Sequence, residues 1–377
     1  MKATLISHTY ITPMNQAKIQ AMTQFFSDVH LIVPSMVKDT LRTMKFVEMK
    51  GAKFKSSQIN SYFDFHNSTR IYNPIQLSKA LENVKSDVWI IEQEPYSLST
   101  LQILLKKKKM GVLTLLYSFQ NIYKKYPQPF SWVEKKCLEL ADGLIVGSES
   151  AAEVWKNKGY PIQKIHILPQ VGVDLDFFEV KEASQARKNI SINDIKTFGF
   201  AGRLVEEKGV QVLLQAAAIL KNREFQVLIV GKGPYEKNLR ELVKSLGIEQ
   251  KVIFVGAPTH EKMPQYLQAM DVLVLPSLIR PHWREQFGHV LIEAMSCERP
   301  CLGSDSDPIY KIIEGCGYSF KEGSSEDLAL KMEKMLNNPL ELSAMAKKAR
   351  QVVGEKYTNQ VIAQKLYQLS LNLNDKN

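Results

Sequence analysis

The stretch that decides the fold is Asp271-Val-Leu-Val-Leu-Pro-Ser277, followed after a short loop by Glu285-Gln-Phe-Gly-His-Val-Leu-Ile-Glu293. The first run is apolar and ends in a turn residue, which predicts a buried parallel strand. The second run therefore starts beyond the carboxyl end of a strand. In open α/β sheets ligands bind at that edge, and helix N-termini there offer free N–H groups to anions.

The second run contains candidate groups for binding a sugar nucleotide. Glu285 and Glu293 are eight residues apart, a little over two helical turns, so we expect their carboxylates on one face. A carboxylate accepts two hydrogen bonds from a vicinal diol, so Glu293 suits a ribose and Glu285 the hydroxyls of a transferred sugar. The alternative is a surface helix with two solvated glutamates. The backbone N–H groups that can face a diphosphate belong to Gln286, Phe287, Gly288 and His289.

Three further runs flank this stretch. They are Phe198-Gly-Phe-Ala-Gly202-Arg203-Leu-Val-Glu-Glu-Lys208-Gly209, Val230-Gly231-Lys-Gly233-Pro234 and Glu298-Arg-Pro300-Cys-Leu-Gly-Ser304. Together they resemble the group 1, or family 4, retaining glycosyltransferases, whose fold is GT-B. The resemblance covers most of residues 197–320, and two shorter segments extend it to about residue 140.

The resemblance implies a function and a set of roles. A sugar moves from a nucleotide diphosphate sugar to a hydroxyl acceptor, as in a hexosyltransferase, and the hydroxyl attacks the face that the diphosphate leaves. Arg203 and Lys208 point at the diphosphate, where fixed cations stabilise the growing negative charge without a metal. Glu285 completes the catalytic set, and no cofactor is expected. The other implied donor-binding residues flank the phosphates and the base: Gly202, Gly231, Gly233 and Pro258.

The length and the order of apolar runs predict two α/β domains. A chain of 377 residues is too long for one core. Strand candidates alternate with helical stretches in both halves, which predicts two Rossmann-like parallel-sheet domains facing a central cleft. We expect an acceptor-side domain over 1–180, a nucleotide-sugar-binding domain over 181–355, and a C-terminal helix over 356–377 that returns to the first domain. The polar stretch 179–195 is the expected linker.

Polar residues also follow two strand candidates of the first half. Such residues should face the ligand edge, although capping of loops is the alternative explanation. The loop His8–Gln16 has no glycine where many members of the family carry a pair, so the identity of the acceptor stays open. Residues 44–75 show weak periodicity and receive no assignment. The acceptor-side candidates are Glu92, Glu94, Gln120 and Asn121.

Composition restricts the cellular setting. No apolar run is long enough to cross a bilayer, and the N-terminus lacks a signal-peptide core, so we expect a cytoplasmic protein. The four cysteines lack metal-ligand spacing, and no metal site is predicted. The net charge of +10 includes the runs Lys106–Lys109 and Lys124–Lys125, which suggest either solvated surfaces or contact with the anionic inner membrane face. No nucleic-acid-binding pattern is present.

Two other functions fit parts of the sequence. A sugar-nucleotide epimerase of the same fold would use the donor without an acceptor. A non-catalytic membrane-surface protein on a degenerate transferase fold would keep the architecture alone, although the four charged residues Arg203, Lys208, Glu285 and Glu293 argue against it. A dinucleotide-dependent dehydrogenase is excluded, because residues 7–16 contain no glycine and so lack the Gly-x-Gly-x-x-Gly pattern. The acceptor itself can be a glycan, a lipid-linked sugar or a small molecule.

Overall fold

The computed structural model of the chain describes residues 1–38, 43–64 and 66–375. The chain forms two compact units. The first comprises Met1–Gly172 together with Asn359–Asn377, and the second comprises Val173–Thr358. The boundaries expected from the sequence are 180 and 355. The division of labour between an acceptor-side half and a donor-side half stays a prediction.

The chain enters and leaves the second unit at neighbouring points. Val173 forms a parallel bridge with Thr358, and its N–H donates to the carbonyl of Tyr357 at 2.9 Å. The polar stretch 179–195 lies inside the second unit, so the prediction that it forms the linker is wrong. It contains Arg187, which donates to Asp194 at 2.8 Å and to Asp271 at 3.1 Å. The polarity of this stretch therefore serves ion pairs rather than a flexible connection.

A parallel sheet of seven strands is the centre of the first unit. In space the described strands run in the order β11-β10-β9-β8-β1-β2-β5, and each neighbouring pair is parallel. Two short antiparallel pairs, β3 with β4 and β6 with β7, lie outside this sheet. The strands are β1 (Lys2–Ile6), β2 (Asp28–Pro34), β3 (Met36–Lys38), β4 (Thr43–Lys45), β5 (Lys55–Ile59), β6 (Ser61–Tyr62), β7 (Ile71–Tyr72), β8 (Val88–Ile91), β9 (Leu113–Ser118), β10 (Gly143–Val146) and β11 (Ile165–Ile167).

Helices cover both faces of this sheet, as the alternation of its buried residues requires. In β8, Val88 and Ile90 pack into one apolar cluster, whereas Trp89 and Ile91 pack into another. The C-terminal helix joins the first cluster and packs against α1 within this unit. The helices are α1 (Ala17–Met22), α2 (Pro74–Val84), α3 (Leu98–Met110), α4 (Phe130–Leu140), α5 (Glu149–Asn157) and the C-terminal helix (Asn359–Asn374), with 3-10 turns at Thr9–Ile11, Pro13–Gln16 and Ile162–Lys164.

The unassigned region 44–75 provides the edge strand of the first sheet. This strand, β5, reads Lys55-Ser-Ser-Gln-Ile59 and buries only Ile59 fully. An edge strand has one paired side and little apolar surface, so neither an apolar run nor clear alternation marks it in the sequence. Phe65, in the same region, lies outside the described residues.

The second unit is built on a parallel sheet of six strands. In space the described strands run in the order β14-β13-β12-β15-β16-β17, and each neighbouring pair is parallel. β15 lies within the apolar run Asp271–Ser277 that the sequence analysis predicts to be a buried strand. The strands are β12 (Thr197–Ala201), β13 (Gln226–Val230), β14 (Val252–Phe254), β15 (Val272–Leu275), β16 (Cys301–Ser304) and β17 (Gly317–Phe320).

Helices also flank the second sheet, and one apolar cluster runs through the whole unit. Cys297, Cys301 and Cys316, which belong to it, are free buried thiols, as is Cys137 in the first unit. The helices are α6 (Ala183–Asn189), α7 (Val210–Ile219), α8 (Glu236–Leu246), α9 (Met263–Ala269), α10 (His289–Ser296), α11 (Ile309–Ile313), α12 (Ser325–Asn337) and α13 (Pro339–Lys356), with 3-10 turns at Glu206–Lys208, Glu249–Lys251 and His260–Lys262. No helix in the described ranges combines the length and apolarity needed to span a bilayer.

The glycine that opens α7 gives a test of this packing. A Cβ on Gly209 would lie 1.8 Å from the carbonyl oxygen of Pro276, and the residue has φ +70°. Gly247 has a similar φ of +64°, but a Cβ there meets no atom within 4 Å. Gly247→Ala should therefore lower the free energy of unfolding by ~1–2 kcal/mol, which is the cost of placing a residue with a Cβ in a left-handed backbone conformation. Gly209→Ala should lower the free energy of unfolding by at least ~3 kcal/mol, because the backbone at Pro276 must also move.

Urea unfolding of the two variants, followed by fluorescence, compares these losses directly. Equal losses in the two variants would show that the Gly209 contact with Pro276 is not tight in solution.

Candidate functional site

The predicted donor-binding residues follow four neighbouring strands at one edge of the second sheet. Because the strands are parallel, their carboxyl ends lie together, as the sequence argument requires. β15 is followed by Ser277 and then by the loop to α10. The residues after the other three strands are Gly202 and Arg203 after β12, Gly231 and Gly233 after β13, and Gly256 and Pro258 after β14.

The loops after β12 and β13 touch through their backbones. The N–H of Leu204 donates to the carbonyl of Lys232 at 3.0 Å, and the N–H of Tyr235 donates to the carbonyl of Leu204 at 3.0 Å. A Cβ on Gly231 would lie 1.8 Å from the Gly202 oxygen, and one on Gly233 would lie 2.1 Å from the Leu204 oxygen. These glycines are therefore required by packing of the two loops, whether or not a ligand approaches them.

Lys208 and Glu285 form an ion pair at this edge. Lys208 Nζ lies 2.6 Å from Glu285 Oε2, and the side chains are only 20% and 11% exposed. Ser277, two residues beyond the end of β15, donates its hydroxyl to the same carboxylate oxygen at 3.0 Å. Lys208 Nζ also lies 5.3 Å from the ring centroid of Trp283. The structure thus brings together the two residues that the sequence assigned to the diphosphate and to the sugar.

Arg203 lies on the exposed surface after β12, near the start of the same loop. Within the described part of the chain its guanidinium makes no ion pair. The 3-10 turn Glu206–Lys208 lies between it and α7, and the N–H of Leu278 donates to the carbonyl of Glu207 at 2.8 Å. This bond ties the turn that carries Lys208 to the loop after β15, whereas Arg203 keeps its side-chain donors for solvent or a ligand.

The helix after this loop begins later than the carboxylate spacing implies. α10 covers His289–Ser296, so Glu285 lies in the preceding loop and helical periodicity does not relate it to Glu293. Gly288 adopts φ +79° at the N-cap, and a Cβ there would lie 3.0 Å from Leu275 and 3.7 Å from the Glu285 Cγ. The left-handed turn at Gly288 therefore brings Glu285 back to the helix N-terminus.

Residues 286–289 surround this N-terminus in different ways. Phe287 is buried, and its ring packs edge-on against Tyr357 with the centroids 5.7 Å apart. Gln286 and His289 are exposed. The side chain of Phe287 thus anchors the loop in the core, and only its backbone N–H can serve a ligand. A role for the four N–H groups in binding a diphosphate stays a prediction.

Glu293 lies in the second turn of α10 and is partly buried. Its carboxylate makes no hydrogen bond or ion pair with any residue that the structure describes. Burial raises the pKa of the Glu293 carboxyl from 4.5 to about 7, because the charged form loses hydration without gaining a partner. A buried carboxylate without a partner is costly, so a ligand that donates hydrogen bonds to it would be favoured.

The acceptor-side candidate Glu92 is engaged inside the first unit. It is 1% exposed and forms an ion pair with buried Lys18. Tyr10 Oη and Gln170 Nε2 donate to its Oε2 at 2.6 and 2.8 Å. Burial lowers the pKa of Lys18 and raises that of Tyr10 well above its usual value. This closed network disfavours the predicted acceptor contact for Glu92.

Glu94 is more accessible than Glu92, whereas Gln120 and Asn121 are buried. Glu94 is partly buried, and it accepts from Ser118 Oγ and from the N–H of Phe119, both at 2.9 Å. Burial raises the pKa of the Glu94 carboxyl to about 7. Gln120 is buried and accepts from Lys158 Nζ at 3.2 Å, and Asn121 is buried beside it. Of the four candidates, Glu94 is the one that is not buried, and its acceptor-side role stays a prediction.

Sequence reasoning did not select Ser277, Trp283 or Lys18. Ser277 had a usable signal, because it is a small polar residue just beyond a buried strand at the ligand edge. No sequence signal marks Trp283 or Lys18. Their contacts join segments that are distant in the chain or follow no periodic pattern. Among the described residues, no group of three or more His, Cys, Asp or Glu side chains is arranged to hold a metal ion.

Comparison with known proteins agrees with this geometry. Residues 182–352 match the sequence model of the family described as glycosyl transferases, group 1. This match covers somewhat less than half of the chain. The match contains all the predicted donor-binding residues and all three catalytic candidates. The resemblance expected from the sequence is therefore confirmed.

Individual relatives cover part of the chain. An alpha-D-kanosaminyltransferase of Streptomyces kanamyceticus is 26% identical over 246 residues, which are 63% of this chain and 62% of that protein. A D-inositol 3-phosphate glycosyltransferase of Pseudarthrobacter chlorophenolicus is 34% identical over 180 residues, 45% of this chain and 41% of that protein. The matches therefore span about two fifths to three fifths of these relatives.

The fold extends over the whole chain. HepE of Anabaena, solved in complex with UDP, has a TM-score of 0.75 at 15% identity, covering 99% of this chain and 100% of that one. At this identity the likeness shows the fold alone. The expected GT-B class, with two parallel-sheet α/β units, is confirmed.

The raised pKa of Glu293 predicts a pH-dependent difference from Glu293→Gln. The folded protein holds the Glu293 proton more tightly than the unfolded chain, so wild-type stability from this group is complete below pH 4.5. That stability is lost as pH rises through about 7. Relative to Glu293→Gln, the free energy of unfolding of the wild type should fall by at most ~3 kcal/mol between pH 4.5 and about pH 7.

Chemical unfolding of both proteins at a series of pH values measures the difference. Parallel stability curves for the two proteins would contradict the burial of an unpartnered carboxyl.

Proposed function

We propose that this protein transfers a sugar from a nucleotide diphosphate sugar to a hydroxyl acceptor. The observation that carries the proposal is the Lys208–Glu285 ion pair, held by Ser277 beside the N-terminus of α10, with unpartnered Glu293 in the same helix. It is supported by the group 1 family match over this region. It is also supported by the fold shared with HepE, which was solved with UDP and with UDP-glucose.

The cations of this edge suit the leaving diphosphate. Breaking the bond between a sugar and its nucleotide leaves a diphosphate whose negative charge grows in the transition state. Lys208, Arg203 and the N–H groups at the start of α10 can meet that charge from fixed positions. Without donor, Lys208 is neutralised by Glu285 at 2.6 Å. The diphosphate would compete for Lys208 and leave Glu285 to accept hydrogen bonds from the sugar.

Glu293 suits the ribose in this scheme. Its carboxylate has no protein partner among the described residues, and a ribose diol offers two hydroxyl donors. Hydrogen bonds to a charged acceptor are worth ~1.5–3 kcal/mol each. Ribose binding would also favour the charged form of Glu293, because the hydroxyls replace the hydration lost on folding.

The stereochemical course we propose is retention. The acceptor oxygen bonds to the anomeric carbon on the face from which the diphosphate leaves, as the bond from that carbon to the phosphate oxygen breaks. The acceptor proton passes to an oxygen of the leaving diphosphate. This course rests on the family resemblance. In the first unit, Glu94 is the residue we assign to orienting the acceptor hydroxyl, because it combines partial exposure with a pKa of about 7.

The charge balance of the site favours a reaction that needs no metal and no cofactor. Arg203, the N-terminus of α10 and Lys208, once the diphosphate replaces Glu285 as its partner, offer positive charge to the diphosphate. We also propose peripheral contact with an anionic membrane through the basic first unit, and we assign no role to nucleic acid.

A nucleotide screen tests the proposed function. Thermal unfolding is measured with UDP-, GDP- and ADP-sugars, each with and without EDTA. The true donor should stabilise the protein by ~2.7 kcal/mol at about 100 times its Kd, and EDTA should leave the shift and the turnover unchanged. Turnover that is abolished by EDTA and restored by manganese would contradict the metal-independent scheme. No shift with any nucleotide sugar would contradict the function.

A further inference from the structure

One surface segment of the first unit combines exposed aromatic and basic side chains. It runs from residue 123 to residue 136, and we call it the basic aromatic segment. It follows β9 and includes the first two turns of α4. Tyr123 is 47% exposed and Trp132 is 55% exposed. Tyr and Trp have an apolar ring with a polar tip, so they suit interfaces where one end is apolar and the other is in water.

The helical part of the segment has aromatic and basic side chains on its solvent-facing side. Trp132, Lys135 and Lys136 have the spacing i, i+3 and i+4, so they share one face of α4. Val133 and Cys137 are buried and lie on the adjoining side of α4, which faces the core. The solvent side of α4 therefore presents an indole, two ammonium groups and, one turn further on, the carboxylate of Glu139. Aromatic and basic side chains occur together on helices that lie at a bilayer interface.

The charge of the segment stays positive after its ion pairs are counted. Glu134 forms an ion pair with Lys158, whose Nζ lies 2.7 Å from Glu134 Oε1. Lys136 pairs with exposed Glu139 at 3.1 Å, a contact that solvent weakens. Three other lysines on this surface are exposed: Lys124, Lys125 and Lys135.

The second basic run, Lys106–Lys109, is less suited to a membrane. Lys107 Nζ donates to both carboxylate oxygens of Asp142, at 2.6 and 2.7 Å. The run also ends α3 and leads into β9, so it lies at the amino edge of the sheet. The basic aromatic segment leaves β9 and lies at the carboxyl edge, which is the edge that carries Glu94.

An aromatic contact ties the segment to that edge. Tyr126 packs against Tyr96 with ring centroids 4.3 Å apart, and Lys158 Nζ lies 5.2 Å from the Tyr126 centroid. Tyr96 is two residues beyond Glu94. These contacts of Tyr126 hold the loop from its inner side. The outward-facing side chains of the loop therefore have a defined arrangement next to Glu94.

We propose that the basic aromatic segment docks on an anionic bilayer, with Tyr123 and Trp132 at headgroup depth and the lysines against anionic lipid. Two weak signals together, an apolar anchor and a polybasic patch, give stable but reversible attachment. The acceptor that reaches Glu94 is then carried by the membrane, as a saccharide or hydroxyl lipid. This last step rests on the proposed transferase function, whereas the docking itself does not.

Sedimentation with vesicles of phosphatidylcholine, with and without phosphatidylglycerol, tests the proposal on the full chain. The wild type should bind the anionic vesicles and be released by salt. Lys124→Glu with Lys125→Glu should weaken binding about 30-fold or more, since each surface lysine contributes about fivefold. Trp132→Ala should weaken it about tenfold, and Trp132→Phe should weaken it less.

The matched control is Lys347→Glu with Lys348→Glu, an adjacent exposed pair in α13 with the same change in net charge. This control should bind vesicles like the wild type. Equal loss in the control and in the Lys124 and Lys125 variant would overturn the proposal, because net charge would then explain the attachment. Full binding by Trp132→Ala, or tight binding to RNA with none to vesicles, would overturn it as well.

The nucleotide-induced thermal shift, measured on the same variants, separates this proposal from the transferase function. The shift should be the same in the wild type, in the Lys124 and Lys125 variant and in Trp132→Ala. Absence of the shift in every protein, with vesicle binding intact, would refute the donor assignment and leave the docking surface standing.

Discussion

The second unit depends on one constraint, which is that its strand-end loops meet with no room for a side chain. The backbone around Gly231 lies against Gly202, and the backbone around Gly233 lies against Leu204. A Cβ at either glycine would collide with a carbonyl oxygen. Loops that are packed so closely hold the strand ends in a fixed arrangement, and they fix where the backbone of Arg203 leaves the sheet. Preorganisation of this kind is what electrostatic catalysis requires, because dipoles that are already in place need not reorganise during reaction.

The polar groups next to these loops are satisfied unequally. Lys208 and Glu285 neutralise one another, and Ser277 adds a third member to the pair. Among the described residues Glu293 has no such partner, and burial raises the pKa of its carboxyl. A partly buried carboxylate without a partner stabilises the folded protein less than a paired one would. The site favours a ligand with an anionic group and a diol in the same molecule, and a nucleotide diphosphate has both.

The sequence was sufficient for the central strands and for the edge at which the donor residues gather. Runs such as Val272–Leu275 are apolar on both faces, so composition alone indicates a buried parallel strand, and topology then locates its carboxyl end. Other elements could not be predicted in this way. β5 is polar, and α6 resembles a linker because the ion pair of its Arg187 with Asp271 joins residues that are far apart in the chain. Glu92 looked accessible by position, but its burial depends on Lys18, which is distant in sequence.

The two carboxylates separate binding from chemistry, so their variants test the account most directly. In the proposed scheme the ribose bound by Glu293 is unchanged during the reaction, whereas the sugar bound by Glu285 gains positive charge as its bond breaks. Donor affinity by calorimetry and turnover are measured for Glu293→Gln and for Glu285→Gln. We expect Glu293→Gln to weaken donor binding by about tenfold to a hundredfold, and Glu285→Gln mainly to lower kcat. Normal donor binding by Glu293→Gln, with only turnover lost, would contradict the assignment.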